Sequence, residues 1–226
     1  MSKFASFIFI FIIMVPLWGG EQLIVVLSPE LNSTSGVLQR YEKEDKWQKI
    51  GEAVRVTLGR SGLGWEGVRQ PQKHEGDGKS PAGVFEIGSI FGYASESNSS
   101  MPYFHADESL ICVDDVNDRF YNKMTLLNPL SPPKSFENMH RSDDLYRHGA
   151  VIEYNRLGEK GRGSCIFFHL NRPDYRPTSG CTAMDEKPLV EMLGWFDLAK
   201  NPKLLQIPKS ECLNYQKKFV GIACEL

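Results

Sequence analysis

His169 ends the apolar run "SCIFFH", and Cys181 follows twelve residues later in what reads as an exposed turn, set between Gly180 and Thr182. A thiolate is a potent nucleophile, and a neighbouring imidazole can take the thiol proton and later return it to a leaving group. Gly180 removes a side chain where a carbonyl must approach. The backbone N–H of Cys181, with that of its neighbour, can face a developing oxyanion. The chemistry such a pair performs is acyl transfer through a thioester. A structural reading of the same residue pairs Cys181 with Cys165 or another cysteine, and the flanking glycine and threonine do not decide between the two.

For the pair to meet, the surrounding elements must bring it together. In "SCIFFHL" both alternating sets are apolar, Cys165 with Phe167 on one face and Ile166 with Phe168 on the other. Such a strand is buried on both sides. His169 falls at its end on the Phe167 face, where it can lean into a cleft. The nine residues Leu170 to Thr178 hold two prolines and an asparagine. They predict a loop that returns Ser179, Gly180 and Cys181 to the side of the histidine.

Upstream, short runs rich in Val, Ile, Leu and Tyr alternate with turn residues. They predict strands over 22–27, 36–42, 46–50 and 53–59, with "NSTSG" and "KEDK" as hairpin turns. Residues 63–81 read as a long loop leading into the strand "AGVFEIG". A strand is expected at 110–113. Residues 114–148 are too broken by proline for any long element, with a short helix expected from Arg141 to Tyr146. "AVIEY", starting at Ala150, is a further strand. One helix is clear: Asp185 caps it, Pro188 sits in its first turn, and Leu189, Met192, Leu193 and Phe196 form an apolar stripe for core packing. "KLLQIP" makes a last strand. Many strands with one packed helix predict a mainly β fold, a sandwich or open barrel with helical decoration and long loops.

Lys3 followed by an apolar run from Phe4 to Val15, interrupted only by Ser6, then Pro16, Leu17, Trp18, Gly19 and Gly20, reads as a signal peptide over residues 1–20. The run falls short of the roughly 20 apolar residues of a spanning helix. An uncleaved anchor is the alternative. No cysteine follows the run to carry a lipid. Residues 21–226 then suit a single domain. With 26 basic against 28 acidic residues there is no field strong enough to argue for nucleic acid or an anionic membrane as partner, and no nucleic acid partner is expected.

Export implies an oxidising compartment, and five cysteines leave at least one out of intramolecular pairing. If Cys181 is that one, the other four allow three connectivities, which sequence alone cannot choose among. Cys112 with Cys165 and Cys212 with Cys224 is the favoured pairing, because the latter closes a short C-terminal loop without crossing the domain. Buried reduced thiols are the alternative.

Other polar clusters read more simply. "KHEGDG" gathers His74, Glu75 and Asp77, which with a later histidine could hold zinc for a peptidase. Its glycines favour a turn with solvated charges, and no second histidine stands at helical ligand spacing. No metal or cofactor is therefore expected. "HRSDDLYRH", 140–148, reads as capping and surface pairing of a short helix. Trp65 and Tyr93 are core plugs or substrate platforms beside the cleft.

"EGDGKSPAGVF", followed by His169 and then "TSGCTAM", resembles the L,D-transpeptidase (YkuD-type) catalytic domain. The family carries a T-P-x-G-x-F-like segment, here Ser80, Pro81, Gly83 and Phe85, and a catalytic S/T-H-G-C turn preceded by a histidine. The layout from Gln22 to Pro208 is also similar to a secreted bacterial branch of that family. The resemblance implies an L,D-transpeptidase-like β-sandwich or open barrel, with Cys181 as nucleophile, His169 as general base and acid, and Gly180 with Cys181 at the oxyanion. Thr178 stands at the family's Ser or Thr. Ser179 replaces the turn's second histidine, Ala183 stands where an arginine commonly follows, and Leu170 replaces a small residue. A backbone carbonyl is then left to orient the imidazole, and Arg172 or Arg176 to hold a substrate carboxylate.

What the resemblance implies for function is attack of the Cys181 thiolate on the bond between an L-centre of diaminopimelate and D-Ala in a peptidoglycan stem tetrapeptide. A second stem, a lysine of a lipoprotein, or water would accept the acyl group, in the periplasm or outside the cell, with no cofactor and as a monomer. A wall-binding relative without turnover is the rival from the binding class.

Overall fold

The apolar and polar alternation of the first third of the chain folds as paired strands, and the computed structural model describes residues 20–225. All but the last residue of the expected signal segment lie outside the described residues. In chain order the strands are β1 (Glu21–Ser28), β2 (Ser35–Lys43), β3 (Trp47–Thr57), β4 (Leu63–Trp65), β5 (Ser80–Gly92), β6 (Tyr103–His105) and β7 (Leu110–Val113). They continue with β8 (Met124–Leu126), β9 (Phe136–Asn138), β10 (His148–Ile152), β11 (Phe167–Leu170), β12 (Thr182–Met184) and β13 (Lys203–Pro208). Helix α1 (Glu186–Trp195) precedes β13, and a short α2 (Cys212–Gln216) follows it.

Strands β1, β2 and β3 form an antiparallel meander through the two predicted hairpins. Where sequence suggests two strands over 46–59, β3 runs through as one. Gly51 takes φ +65°, the β2–β3 register slips between Leu38 and Arg40, and the buried Gln39 amide donates to the Ile50 and Gly51 carbonyls. The irregularity is thus a bulge whose freed carbonyls are satisfied, not a chain break. β1, paired with β2 on one edge and with parallel β13 on the other, is buried nearly throughout, its residues Leu23 to Leu27 lying in the larger core.

The main sheet is mixed and closes on itself. β5 pairs with β13 through Gly83–Glu86 and with β10 through Ile87–Gly92. The Glu86–Ile87 peptide shows that these partners lie on opposite edges: the Ile87 N–H donates to Pro202 O at 3.0 Å, while Glu86 O accepts from the Glu153 N–H at 2.9 Å. The ladder from β5 through β10, β11, β12, β3, β2, β1 and β13 is therefore a ring, where sequence predicts a sandwich or open barrel. A small second sheet, β8–β7–β9, stands beside it.

Two apolar cores result, and β11 faces both. Ile166, Phe168 and Leu170 join the larger core with Leu189, Met192, Leu193 and Phe196 of the predicted helix stripe. Cys165 and Phe167 join the smaller core with Cys112, Tyr146 and Cys181. The two-faced burial expected of this strand is observed. Its regular part is shorter than predicted, because Cys165 adopts φ +54° and its N–H donates to Asn122 Oδ1 at 2.9 Å. Disulfides join Cys112 to Cys165 and Cys212 to Cys224, and Cys181 is free. Among the described residues, no helix is long and apolar enough to cross a membrane.

The helix expected from Arg141 to Tyr146 does not form. Asp143 binds the Arg141 guanidinium at 2.8 and 2.7 Å, and Asp144 takes φ +57°, which ends any helical turn. Asp185 sits at the α1 N-cap with extended dihedrals, yet its carboxylate accepts from Asn171 and Tyr175 instead of capping the helix.

Candidate active site

β11 and β12 lie parallel, with Phe168 beside Thr182 and His169 beside Ala183. Side chains alternate along each strand, so Phe167, His169, Cys181 and Ala183 share one face. Cys181 and His169 are diagonal neighbours on it, a spacing of about 7–8 Å between backbones. The loop expected after Leu170 does return the cysteine to the histidine. Both line a cavity of about 320 Å³, together with Thr178, Ser179, Arg172 and Arg176, so all the site residues read from sequence except Gly180 line it.

The turn carrying the thiol is held by hydroxyl groups. Thr178 Oγ1 accepts from the Gly180 N–H at 3.1 Å and donates to the Cys181 carbonyl at 2.6 Å. Ser80 Oγ donates to that same carbonyl at 3.0 Å while accepting from the Gly59 N–H. The two motifs that carry the family resemblance are thus in contact across 101 residues of chain. Gly180 adopts φ +154°, and a Cβ there would meet Lys79 O at 3.0 Å. Backbone geometry and crowding both favour glycine here. Its N–H is committed to Thr178, which leaves the Cys181 N–H as the donor free for an oxyanion among the described residues. Ser179 Oγ accepts from the Arg60 guanidinium at 3.2 Å.

A backbone carbonyl orients the imidazole. His169 Nδ1 lies 2.8 Å from Leu170 O, so Nδ1 carries the proton and Nε2 is the basic nitrogen. Burial lowers the His169 pKa to about 4, and the positive charges of Arg141 and Arg172 add to this against the carbonyl bond. The thiol is buried too, at 7 % exposure, where sequence suggests an exposed turn. Its pKa is pushed up to about 12, first by burial and then by the negative charge of Glu137. Sγ donates to Cys165 O at 3.5 Å and accepts from the Phe167 N–H at 3.4 Å. Near neutral pH, the resting pair is a neutral thiol and a neutral imidazole.

The cavity wall includes groups that sequence does not single out for the site. Tyr146 packs edge-on against the His169 ring at 5.3 Å between centroids, and its hydroxyl donates to Glu137. The Arg141 guanidinium lies over the Tyr146 ring at 5.0 Å. All three line the cavity. They come from β9 and the irregular segment after it, where no periodicity marks a face. The run "HRSDDLYRH" is therefore a wall of the site, not the surface helix expected. Arg172 lies 3.7 Å from Asp143, and Arg176 pairs with Asp174 at 2.6 Å, so both are at the rim with carboxylate partners.

Elsewhere, Asp77 accepts from the His74 and Lys79 N–H groups at 2.8 Å and from Lys73 Nζ at 3.0 Å. Its charge organises a turn; it is not simply solvated as expected. No group of three or more potential metal ligands occurs among the described residues. Trp65 is buried under the Arg69 guanidinium, and the Tyr93 hydroxyl bonds the Arg141 backbone; neither lines the cavity.

No protein-family model matches the chain, and none of the curated proteins matches it significantly.

Proposed function

We propose that this chain is a peptidoglycan-modifying cysteine acyl-transferase of the L,D-transpeptidase type, with an L,D-transpeptidase-like fold. The observation that carries the reading is that the free cysteine among five, Cys181, lies one diagonal ladder step from His169 in an arginine-lined cavity. The Ser80 bond to the Cys181 carbonyl supports the fold assignment, because it unites both motifs of the resemblance.

In the proposed reaction, His169 Nε2 takes the Cys181 proton as the sulfur attacks the carbonyl between diaminopimelate and D-Ala. The C–N bond breaks, and the imidazolium gives its proton to the departing D-Ala amine. The Cys181 N–H faces the oxyanion in between. An amine or water then attacks the thioester, loses a proton to His169 and restores the thiol. A resting thiol with a pKa near 12 is a poor nucleophile. Substrate must therefore reshape its surroundings, by drawing the sulfur off Cys165 O and toward the imidazole. The two disulfides support a periplasmic or secreted location.

The test is intact mass after mixing the mature protein with a tetrapeptide-stem muropeptide, for wild type and Cys181→Ala. An acyl adduct, or product lacking D-Ala, that vanishes in the variant supports the reading. The raised thiol pKa and the sulfur's bond to Cys165 O favour a second reading, a wall-binding module without turnover. On that account wild type forms no thioester, and Cys181→Ala binds stem peptide as tightly as wild type.

A further inference from the structure

The cavity beside Cys181 carries both signs of charge. Glu137 accepts from the Tyr146 hydroxyl through Oε2, and its Oε1 has no partner among the described residues. Arg141 gives Nε and Nη2 to Asp143, which leaves Nη1 without a partner among the described residues. Both side chains line the cavity, yet no ion pair within 4.0 Å joins them among the described residues. Two opposite charges on one small wall, each with an unused polar atom, are complementary to a ligand group that carries both signs itself. The shared contact to Tyr146 fixes their spacing, since its hydroxyl holds one and its ring face supports the other.

We infer that Glu137 and Arg141 recognise a zwitterionic amino-acid head on the substrate, Glu137 taking the ammonium and Arg141 the carboxylate. Resting on the acyl-transfer reading, the bound group is the distal ammonium and carboxylate of diaminopimelate in the donor stem. Lysine at that position offers the ammonium alone. An N-acetylated diaminopimelate offers the carboxylate alone. Burial raises the Glu137 carboxyl pKa, and a bound ammonium would lower it again. Arg172 and Arg176, whose side chains are the more exposed at the rim, are left with a general attraction for anions.

The test is calorimetric titration of wild type, Glu137→Gln and Arg141→Gln with tetrapeptide stems bearing diaminopimelate, lysine or N-acetyl-diaminopimelate. Wild type is expected to bind the diaminopimelate stem about tenfold tighter than either alternative, the worth of one charged hydrogen bond. Glu137→Gln, which keeps an acceptor for Tyr146, should bind the diaminopimelate and N-acetyl stems alike. Arg141→Gln should bind the diaminopimelate and lysine stems alike. Unchanged ranking in both variants, equal binding of all three stems by wild type, or no binding at all overturns the inference. If the glutamine variants melt early, Glu137→Asp and Arg141→Lys take their place, and the wild-type ranking alone still decides. Intact mass on the same samples separates the two proposals. The ranking without a thioester keeps this inference and removes acyl transfer, while a thioester formed equally on all three does the reverse.

Discussion

Cys181 directs its sulfur at the carbonyl oxygen of Cys165, 3.5 Å away, and no hydrogen bond among the described residues joins it to His169. That contact ties the thiol to a disulfide-bonded residue of the smaller core.

Burial, and after it the charge of Glu137, makes this thiol ionise late. With a pKa near 12, the thiolate fraction rises tenfold for each pH unit across the whole working range. Alkylation of Cys181 by iodoacetamide, followed by intact mass, should rise with unit slope from pH 7 to 10 without a plateau. A plateau between pH 6 and 8 would mean that the pair rests as thiolate and imidazolium.

The histidine leaves its mark on stability. Its folded pKa is near 4 and its unfolded value near 6.5, so between these pH values the unfolded chain binds more protons. The His169 contribution is fully present above about pH 6.5 and is lost as pH falls toward 4, at up to about 1.4 kcal/mol per pH unit. Denaturant titrations should therefore show a shallower loss between pH 6.5 and 4 for His169→Gln than for wild type. Equal slopes would mean that the imidazole charges within the fold.

At the turn, Thr178→Val removes the hydroxyl that accepts from Gly180 and donates to Cys181, at a cost of roughly 1–3 kcal/mol. Thr178→Ser should recover most of that loss. Gly180→Ala should cost roughly 1–3 kcal/mol through its strained φ and the approach to Lys79 O. Chemical denaturation checks both, and a neutral Gly180→Ala would show that the turn can move aside.

The two disulfides should separate cleanly. Cys112 and Cys165 are 53 residues apart, so removing both sulfurs is worth about 4 kcal/mol of loop entropy. Because this bridge lies in the same core as Cys181, the double alanine variant should also be alkylated faster at Cys181. Cys212 and Cys224, 12 residues apart and set in the larger core, should cost about 3 kcal/mol and leave that rate unchanged. Alkylation rates and melting curves of the two double variants decide this.

Local sequence already specified the pieces governed by neighbouring residues. Short apolar runs between turn residues marked β1 and β2, an apolar set on each face marked β11, and the stripe from Leu189 to Phe196 marked α1. The His169 to Cys181 spacing, with two prolines between, foretold a loop that returns on itself. Folding in three dimensions settled whatever depends on distant chain. Ring closure needs β5 to pair on both edges, which no local pattern encodes. The burial of Cys181 comes from Phe91, Tyr146 and the β7 sheet closing over a turn that is polar in sequence. Glu137 and Arg141 reached the cavity from a segment without periodicity, held by Tyr146 and Asp143. Periodicity records which face of an element meets apolar surface, whereas the proton affinity of a thiol depends on every charge and dipole packed around it.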